Sequence, residues 1–269
     1  MKDYFKIAWR NLWRNKRRTM LTISSVLFAL FLALFMRAMQ LGSYSNMVES
    51  AVKSTTGYIQ VHEKGYWADK SLDNTFETSD SLEQWIRSHP NVTKIIPRLE
   101  SYALLSYGIQ TKGSAVIGTL PEAEHSVSGL KDRLTEGSYL EKDDRAVLIA
   151  EGLARYLKAG IGDTVVILGQ GYHGMTAAGA YPVKGIVEFV QPDINNSMVF
   201  IPLSLAQELY SSPSRLTSLS IMLENPDKMR KTRSELVGSG PDNLEFMTWD
   251  EMLTEMVNAI EGDNISGQF

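Results

Sequence analysis

An uncharged run of 18 residues, from Thr19 to Met36, constrains this 269-residue chain more than any other feature. As an α-helix the run is roughly 27 Å long, which matches the hydrocarbon core of a bilayer. Helices buried in soluble proteins are seldom apolar on every face. Arg37 follows the run, and its long side chain can reach the lipid headgroups. The sequence therefore predicts a transmembrane helix, which we assign to residues 19–42.

Two cleavable leader sequences share some of these features. A secretory signal peptide has a shorter apolar region and a small-residue cleavage site, whereas this run continues into Phe35-Met36-Arg37. The cluster Lys16-Arg17-Arg18 resembles a twin-arginine signal only loosely. A second uncharged stretch, residues 164–183, contains four glycines and a proline, so its apolar density is too low for a span. We therefore expect that the chain crosses the membrane once.

Charge is distributed unevenly along the chain, whose formal net charge is −4. Residues 1–42 contain eight basic groups and one acidic group, which leaves 19 basic and 30 acidic groups for the remainder. Basic residues are enriched on the cytoplasmic side of transmembrane helices. The pattern predicts that the N-terminus is cytoplasmic and that the acidic body lies on the other side of the membrane.

Residues 1–18 are predicted to form an amphipathic helix in the cytoplasmic interface of the membrane. Its apolar residues recur at helical spacing: Phe5, Ala8, Trp9, Leu12 and Trp13. Aromatic rings at this depth lie at headgroup level, while cations bind anionic lipid. The predicted membrane-surface contacts are Trp9, Trp13, Arg14, Lys16, Arg17 and Arg18. A charge cluster that only sets topology is the alternative. Because the cations match a lipid surface, no nucleic-acid partner is expected.

Residues 43–258 are predicted to form a mixed α+β domain. Strands are predicted over residues 57–63, 99–110, 114–120, 146–150, 164–168, 183–190, 198–201 and 216–223, with a turn near Lys112-Gly113. Helices are predicted over 43–54, 80–89, 151–158, 205–210 and 226–237, and from 249 onward. Three capping boxes are predicted, Asp80 with Glu83, Ser204 with Gln207, and Thr248 with Glu251. The lack of long strand–helix repeats favours the α+β class.

Residues that carry most enzyme chemistry are absent or isolated in this sequence. There is no cysteine, and the four histidines are not at metal-ligand spacing. The segment Gly169–Gly174 matches G-x-G-x-x-G, with Glu188 about 20 residues on, but no crossover helix follows it. We interpret the segment as a glycine-rich hairpin. No catalytic, cofactor-binding or metal-binding residue is assigned, and the chain is not expected to be an enzyme.

Several segments, read in order, resemble ABC-transporter permeases. The opening resembles the start of such a permease, FKIAWRNLWRNKRRTMLT. The segment after the span is similar to the lipoprotein-releasing branch, GYIQVHEKGYW. The most specific piece joins residues 149–154 to residues 160–165, within VLIAEGLARYLKAGIGDTVVIL. Together these segments are similar to the MacB-like periplasmic core domain of FtsX, MacB and LolC/LolE-type permeases.

The resemblance implies a bacterial inner-membrane permease with four spans and a periplasmic domain between the first two. Residues 259–269 would lead into the second span, so we expect that the chain is truncated there. The family role implies a cytoplasmic ATP-binding subunit, which carries the ATPase activity, and a second permease copy, identical or different. In the lipoprotein-releasing branch the cargo is an acylated lipoprotein that passes to a periplasmic carrier.

One face of the predicted membrane helix is a candidate contact for cargo or for a partner helix. Phe35, Ala38, Met39 and Gly42 recur at positions i, i+3, i+4 and i+7. Met adapts to irregular apolar ligands, and Ala and Gly allow helices to approach closely. Packing against other spans, or simple lipid contact, is the alternative for this face.

Other functions stay open at the level of sequence. Within the family, they are MacB-like efflux and FtsX-like signalling through cell-wall hydrolases. Outside it, they are a single-pass periplasmic sensor or binding module, and a membrane-tethered nucleotide-binding enzyme built on Gly169–Gly174.

Overall fold

The computed structural model describes residues 4, 6, 9, 10 and 13–266, with side chains up to residue 263. The chain divides into two compact units, Met1–Ser50 and Ala51–Phe269. We call the second unit the core domain. Phe5, Ala8 and Leu12, three apolar positions of the predicted interfacial helix, lie outside the described residues.

The first unit is dominated by one long helix, α1 (Lys16–Ala51), which has no buried residue. Together with the turn that follows, up to Thr56, it is the one helix among the described residues that is long and apolar enough to cross a bilayer. The described part of the core domain leaves this apolar surface uncovered, as a bilayer-spanning helix requires. The prediction that the membrane helix continues beyond residue 42 is confirmed, since α1 is helical up to Ala51.

The core domain alternates helices and strands, which confirms the α+β prediction. Its helices are α2 (Tyr66–Asp69), α3 (Asp80–Arg87), α4 (Pro121–Ser128), α5 (Glu151–Leu157), α6 (Pro192–Asn195), α7 (Leu203–Leu209), α8 (Met229–Ser239), α9 (Trp249–Met252) and α10 (Thr254–Ser266). Its strands are β1 (Ile59–Glu63), β2 (Phe76–Glu77), β3 (Val92–Tyr107), β4 (Gln110–Thr119), β5 (Leu134–Gly137), β6 (Val147–Ala150), β7 (Thr164–Gln170), β8 (Thr176–Val187), β9 (Met198–Pro202), β10 (Arg215–Leu216), β11 (Ser218–Leu223) and β12 (Leu244–Thr248).

Most strands join one sheet that has two parts. In the first part, β12, β1, β11 and β3 lie side by side and are antiparallel. In the second part, β3, β4, β9, β6, β8 and β7 pair in that order, and β7 returns to β3. This cycle closes a six-stranded barrel, whose interior is filled by buried side chains such as Leu105, Val116 and Ile167.

The 16-residue strand β3 belongs to both parts of the sheet. Its first half, residues 92–98, pairs with β11 in the open part. Its second half pairs with β4 and, over residues 103–106, with β7 in the barrel. Because one strand supplies backbone hydrogen bonds to both parts, the two share a continuous framework.

The β3–β4 turn lies elsewhere than the sequence predicted. The strands reverse at Gly108 and Ile109, and Gly108 has φ = +57°, a conformation that glycine adopts without strain. Lys112 and Gly113, where the turn was predicted, are paired residues of β4 opposite Leu105 and Leu104. Gly113 is therefore a paired strand residue, and the glycine that forms the turn is Gly108.

The three predicted capping boxes have different outcomes. Glu251 accepts a hydrogen bond from the backbone N–H of Thr248 at 2.9 Å, which confirms the box that opens α9. At α3, the cap is Ser79 rather than Asp80, because the Ser79 hydroxyl accepts from the N–H of Leu82 at 3.2 Å.

The box predicted from Ser204 and Gln207 is wrong. Helix α7 begins two residues earlier than predicted, at Leu203, and has no side-chain cap. Gln207 instead donates to the carbonyl of Arg215 at 3.1 Å, and Ser204 donates to the carbonyl of Lys142 at 3.4 Å. Tertiary contacts therefore take both side chains away from the helix terminus.

The Gly169–Gly174 segment is a hairpin turn between β7 and β8, as predicted. Its glycines are explained by close backbone approach rather than by a nucleotide. A Cβ at Gly171 would lie 2.7 Å from the carbonyl oxygen of Tyr210, and a Cβ at Gly169 would lie 3.1 Å from the Cβ of Ala103. Strand β8 begins at Thr176, earlier than predicted, because the alanine-rich segment pairs with β7.

Candidate functional site

The apolar stripe predicted on the membrane helix lies on the second half of α1. Phe35, Ala38, Met39 and Gly42 are all exposed, and a Cβ at Gly42 would meet nothing within 4 Å. Their spacing puts them on one face of the helix. Whether cargo or another helix contacts this face stays a prediction.

A polar ladder occupies the opposite face of the same half of α1. Arg37 donates to the side-chain oxygen of Gln40 at 3.1 Å, and the Gln40 amide donates to the Tyr44 hydroxyl at 2.8 Å. At 100° per residue, positions 37, 40 and 44 point about 180° away from the apolar stripe. This ladder was not predicted, although its i, i+3, i+7 spacing can be read from the sequence.

The predicted membrane-surface residues lie before and at the start of α1. The rings of Trp9 and Trp13 are 6.0 Å apart, and both are exposed. Arg14, Lys16, Arg17 and Arg18 are also exposed. This arrangement offers aromatic rings and cations to a surface, and contact with the membrane stays a prediction.

Helix α1 passes into the core domain through a turn of π-helix, Val52–Thr56. Val52 and Thr56 are buried, so the turn is fixed at both ends. Gly57 ends it with φ = +69°, and a Cβ at this position would lie 3.1 Å from the backbone nitrogen and oxygen of Ile221. Glycine is therefore required both by the conformation and by the closeness of β11.

Arg98 on β3 holds this π turn from inside the core domain. Its guanidinium donates to the backbone carbonyls of Thr55 and Ser54, the latter at 3.4 Å. The same group donates to both carboxylate oxygens of Glu124, from Nε at 2.9 Å and from Nη2 at 2.7 Å. Such two-point ion pairs fix geometry more strongly than single hydrogen bonds do.

Both charged partners are buried, with 4% of Arg98 and 1% of Glu124 exposed. Burial alone lowers the pKa of Arg98, but the neighbouring Glu124 carboxylate outweighs it and raises the pKa above the usual value. The guanidinium therefore stays charged. The Thr119 hydroxyl adds a hydrogen bond to Glu124 at 3.1 Å, so the carboxylate has several donors.

We call Ser54, Thr55, Arg98 and Glu124 the junction cluster. Its members come from three separate places in the chain: the π turn, β3 and α4. They were not predicted from the sequence. An arginine that directly follows the apolar run Ile95, Ile96 and Pro97 is the signal that could have found Arg98.

The junction cluster combines a buried ion pair with main-chain hydrogen bonds. The junction cluster contains no activated nucleophile, and among the described residues no group of three His, Asp or Glu side chains could hold a metal ion. The cluster fixes the π turn, which belongs to the core domain, to β3 and α4 through buried, charge-assisted hydrogen bonds.

Comparisons with known proteins agree with this architecture. Residues 19–238 match the family model described as the MacB-like periplasmic core domain. The lipoprotein-releasing system transmembrane protein LolE of Haemophilus influenzae is 22% identical over 258 residues, which cover 93% of this chain and 62% of that protein. The corresponding LolC of Neisseria meningitidis serogroup B is 25% identical over 175 residues, which cover 62% of this chain and 42% of that protein.

One solved structure supports the fold. The periplasmic region of MacB from Actinobacillus actinomycetemcomitans aligns with a TM-score of 0.51 at 16% identity, covering 74% of this chain and 92% of that one. This chain spans about three fifths of the length of the LolE protein and about two fifths of the length of the LolC protein.

A membrane-length helix that enters a mixed α+β domain is the architecture of an ABC-transporter permease of the FtsX, MacB and LolC/LolE type. The chain belongs to the MacB-like periplasmic core domain family.

Proposed function

We propose that this chain is a permease subunit of a bacterial ABC transporter of the lipoprotein-releasing type. ATP hydrolysis on a cytoplasmic partner subunit moves the membrane helices, and the core domain moves with them to extract an acylated lipoprotein from the inner membrane. The observation that carries the proposal is the junction cluster, in which Arg98 binds both Glu124 and the π turn that directly follows α1.

The direction of this coupling follows from the charge pattern. Eight basic residues within positions 1–42 favour a cytoplasmic N-terminus, where an ATP-binding subunit operates, and the acidic core domain then lies in the periplasm. Catalysis of ATP hydrolysis belongs to the partner subunit. The curated relatives are transmembrane proteins of lipoprotein-releasing systems, which favours lipoprotein as the cargo.

The apolar stripe of α1 has a defined role in this proposal. Phe35 and Met39 offer adaptable apolar surface to an acyl chain, while Ala38 and Gly42 allow a second helix to approach closely. The polar ladder from Arg37 to Tyr44 lies on the other face, so the stripe presents only apolar and small groups.

A copurification experiment tests the proposal. The full-length protein is purified from detergent-solubilised native membranes, and its partners are identified by mass spectrometry. An ATP-binding subunit together with acylated lipoproteins supports lipoprotein release. Recovery of an ATP-binding subunit with an outer-membrane channel would instead indicate efflux. Recovery of an ATP-binding subunit with a cell-wall hydrolase would instead indicate signalling. Recovery without any ATP-binding subunit overturns the permease role in favour of a single-pass sensor or binding module.

A matched variant makes the experiment quantitative. Arg98→Met removes the guanidinium from the junction cluster, whereas Arg145→Met removes one from the exposed ion pair with Glu208. If the junction couples the two activities, the complex with Arg98→Met retains ATP hydrolysis and loses cargo release, while the complex with Arg145→Met retains both. Equal losses of both activities with Arg98→Met would contradict a coupling role.

A further inference from the structure

A cleft of about 470 Å³ opens in the core domain between the start of α3 and the end of α8. Its walls are formed by β2, the first turns of α3, the loop after α8 and the first residue of β12. The volume lies within the usual range for small-molecule sites. The lining residues, which all belong to the described part of the chain, include a carboxylate, hydroxyls and an amide but no Lys, Arg or His. The cleft therefore has no cation of its own.

Trp85 supplies the large aromatic ring of the cleft wall. The ring meets that of Phe246 edge to face, with centres 6.3 Å apart and planes at 79°. A Cβ at Gly240 would lie 2.9 Å from the edge of the Trp85 ring, so glycine at this position lets the loop after α8 approach it closely. The ring is thus fixed by its neighbours before a ligand arrives, which lowers the entropic cost of binding.

Another tryptophan of the core domain shows how such a ring is used. The Nζ of Lys70 lies 4.2 Å from the centre of the Trp67 ring, a position in which the ring attracts the positive charge. Among the described residues, no Lys or Arg lies in this way over Trp85. The Trp85 ring therefore remains available to a cation from outside the chain.

The two segments that form the cleft are acidic. Residues 76–85 and 239–245 contain five acidic groups and no basic one. The acidic groups are Glu77, Asp80, Glu83, Asp242 and Glu245. Glu77 lines the cleft, and 78% of its side chain is exposed. Its Oε1 lies 3.4 Å from Arg215, and a carboxylate can accept further hydrogen bonds beside that one. The local charge favours a cation and repels an anion.

The helix ends at the cleft agree with this charge. Helix α8 ends at Ser239 with no basic residue in its last turn, so its terminal carbonyls place the negative end of the helix dipole at the cleft. Helix α3 begins at the cleft with the positive end of its dipole. Asp80 and Glu83 in its first turn offset that end, and the Ser79 hydroxyl accepts from the N–H of Leu82.

Two polar side chains at the end of α8 and after it add hydrogen-bond acceptors. The Ser239 hydroxyl donates to the carbonyl of Glu235 at 2.9 Å, and the Asn243 amide nitrogen donates to Glu63 at 3.0 Å. Both donors are therefore engaged, and each side chain keeps an oxygen that can accept from a ligand. A ligand that suits the cleft carries positive charge and N–H or polarised C–H donors.

We propose that this cleft binds an organic cation, an ammonium or guanidinium group, with Trp85 as its aromatic contact and Glu77 as its counter-charge. The group can belong to a free amine or to a Lys or Arg side chain of a polypeptide, since the two share the same chemistry. The proposal goes beyond the permease role and does not depend on it, because every residue involved belongs to the core domain.

Fluorine NMR of the full-length protein in detergent, labelled with 5-fluorotryptophan, tests the site. The ligands are tetramethylammonium, an end-blocked Gly-Lys-Gly tripeptide and the same tripeptide with uncharged norleucine in place of lysine. Trp85→Phe and Trp67→Phe identify the two resonances. We expect that both cations shift the Trp85 resonance and leave that of Trp67 unchanged, because Lys70 already occupies the Trp67 ring. The norleucine tripeptide should shift neither.

A matched pair of variants tests the counter-charge. Glu77→Gln should weaken the binding of both cations about threefold, as measured at the Trp85 resonance. Glu208→Gln is the control, because Glu208 is also an exposed carboxylate paired with an arginine, Arg145, but lies outside the cleft. Its affinity for the cations should stay unchanged. An unaltered Trp85 resonance in each ligand-free variant shows that the fold is intact.

Three results would each overturn the proposal: no shift of the Trp85 resonance with either cation, equal binding of the lysine and norleucine tripeptides, or equal weakening by Glu77→Gln and Glu208→Gln. The two cations also distinguish the sources of the charge. Tighter binding of the lysine tripeptide assigns the cation to a polypeptide, and equal or tighter binding of tetramethylammonium assigns it to a free organic ammonium. Either of these results supports the cation site.

Discussion

Arg98 and Glu124 form a buried, two-point ion pair, with nitrogen–oxygen distances of 2.9 and 2.7 Å. The same guanidinium donates to the main chain of the π turn that ends the membrane helix. One side chain on β3 therefore satisfies a carboxylate from α4 and two carbonyls from the helix end at the same time. Removal of either charged partner would leave the other buried without compensation.

We expect that Arg98→Met and Glu124→Gln each lower the free energy of unfolding by about 3–5 kcal/mol, because each leaves a buried group without its partner. Chemical unfolding of the full-length protein in detergent measures the change. The double variant Arg98→Met, Glu124→Gln should be less destabilised than the sum of the two single variants. Arg145→Met, at the exposed pair with Glu208, is the control and should change little. Additive effects of the two junction variants would show that the pair is not coupled.

Gly57→Ala should destabilise the protein more than Gly65→Ala. Both glycines have positive φ, +69° and +87°, so both alanines introduce backbone strain. Only at Gly57 would the new Cβ also approach the Ile221 backbone to 3.1 Å, whereas nothing lies within 4 Å at Gly65. We expect a difference of about 1 kcal/mol between the two variants, measured by thermal unfolding. Equal losses of stability in the two variants would mean that β11 can move away from the new Cβ without an energetic cost.

Stability should fall as the pH is lowered from 7 to 5, and His62 should contribute to the fall. Burial, with a smaller effect from Lys70, lowers the pKa of His62 to about 3, whereas an unfolded histidine titrates near 6.5. Between these values only the unfolded chain binds the proton, so acid favours unfolding. The contribution at pH 5 is about 2 kcal/mol. His62→Gln should therefore show a shallower pH dependence of unfolding than the natural protein. His173→Gln, at an exposed histidine, should keep the original slope.

The apolar stripe of α1 should lie next to acylated cargo during release. A photoreactive amino acid at Met39 should cross-link lipoprotein, because Met39 is exposed on the stripe. The same group at Tyr44, on the opposite polar ladder, is the control and should not. Cross-linking of lipoprotein from both Met39 and Tyr44 would contradict a specific contact between the cargo and the stripe. Cross-linking from Met39 to another membrane helix alone would assign the stripe to helix packing.

Features that depend on local sequence were predicted well. The membrane helix, its continuation to Ala51 and the hairpin at Gly169–Gly174 are set by apolar content and by glycines that are adjacent in sequence. The strands β6 and β7 with helix α5 between them were also predicted close to their true bounds, because turns flank each one.

Features that depend on distant contacts were not predicted. The pairing of β7 with β3, which closes the barrel, joins residues about 60 positions apart and leaves no periodic signal in either strand. The junction cluster depends on residues 55, 98 and 124 meeting in three dimensions. Capping patterns illustrate the same limit, since Thr248 with Glu251 caps a helix while Gln207 is drawn away to the Arg215 carbonyl.

The shared strand β3 determines how the core domain responds to force. Its pairing runs from the open part of the sheet, where it meets β11 in regular register from Lys94 to Arg98, to the barrel, where it meets β4 from Arg98 to Tyr107. Bending between the two parts would have to break several of these hydrogen bonds together. A load applied beside Arg98 is therefore shared along β3 between the open part and the barrel, as far as the turn at Gly108 and the exposed Ile109.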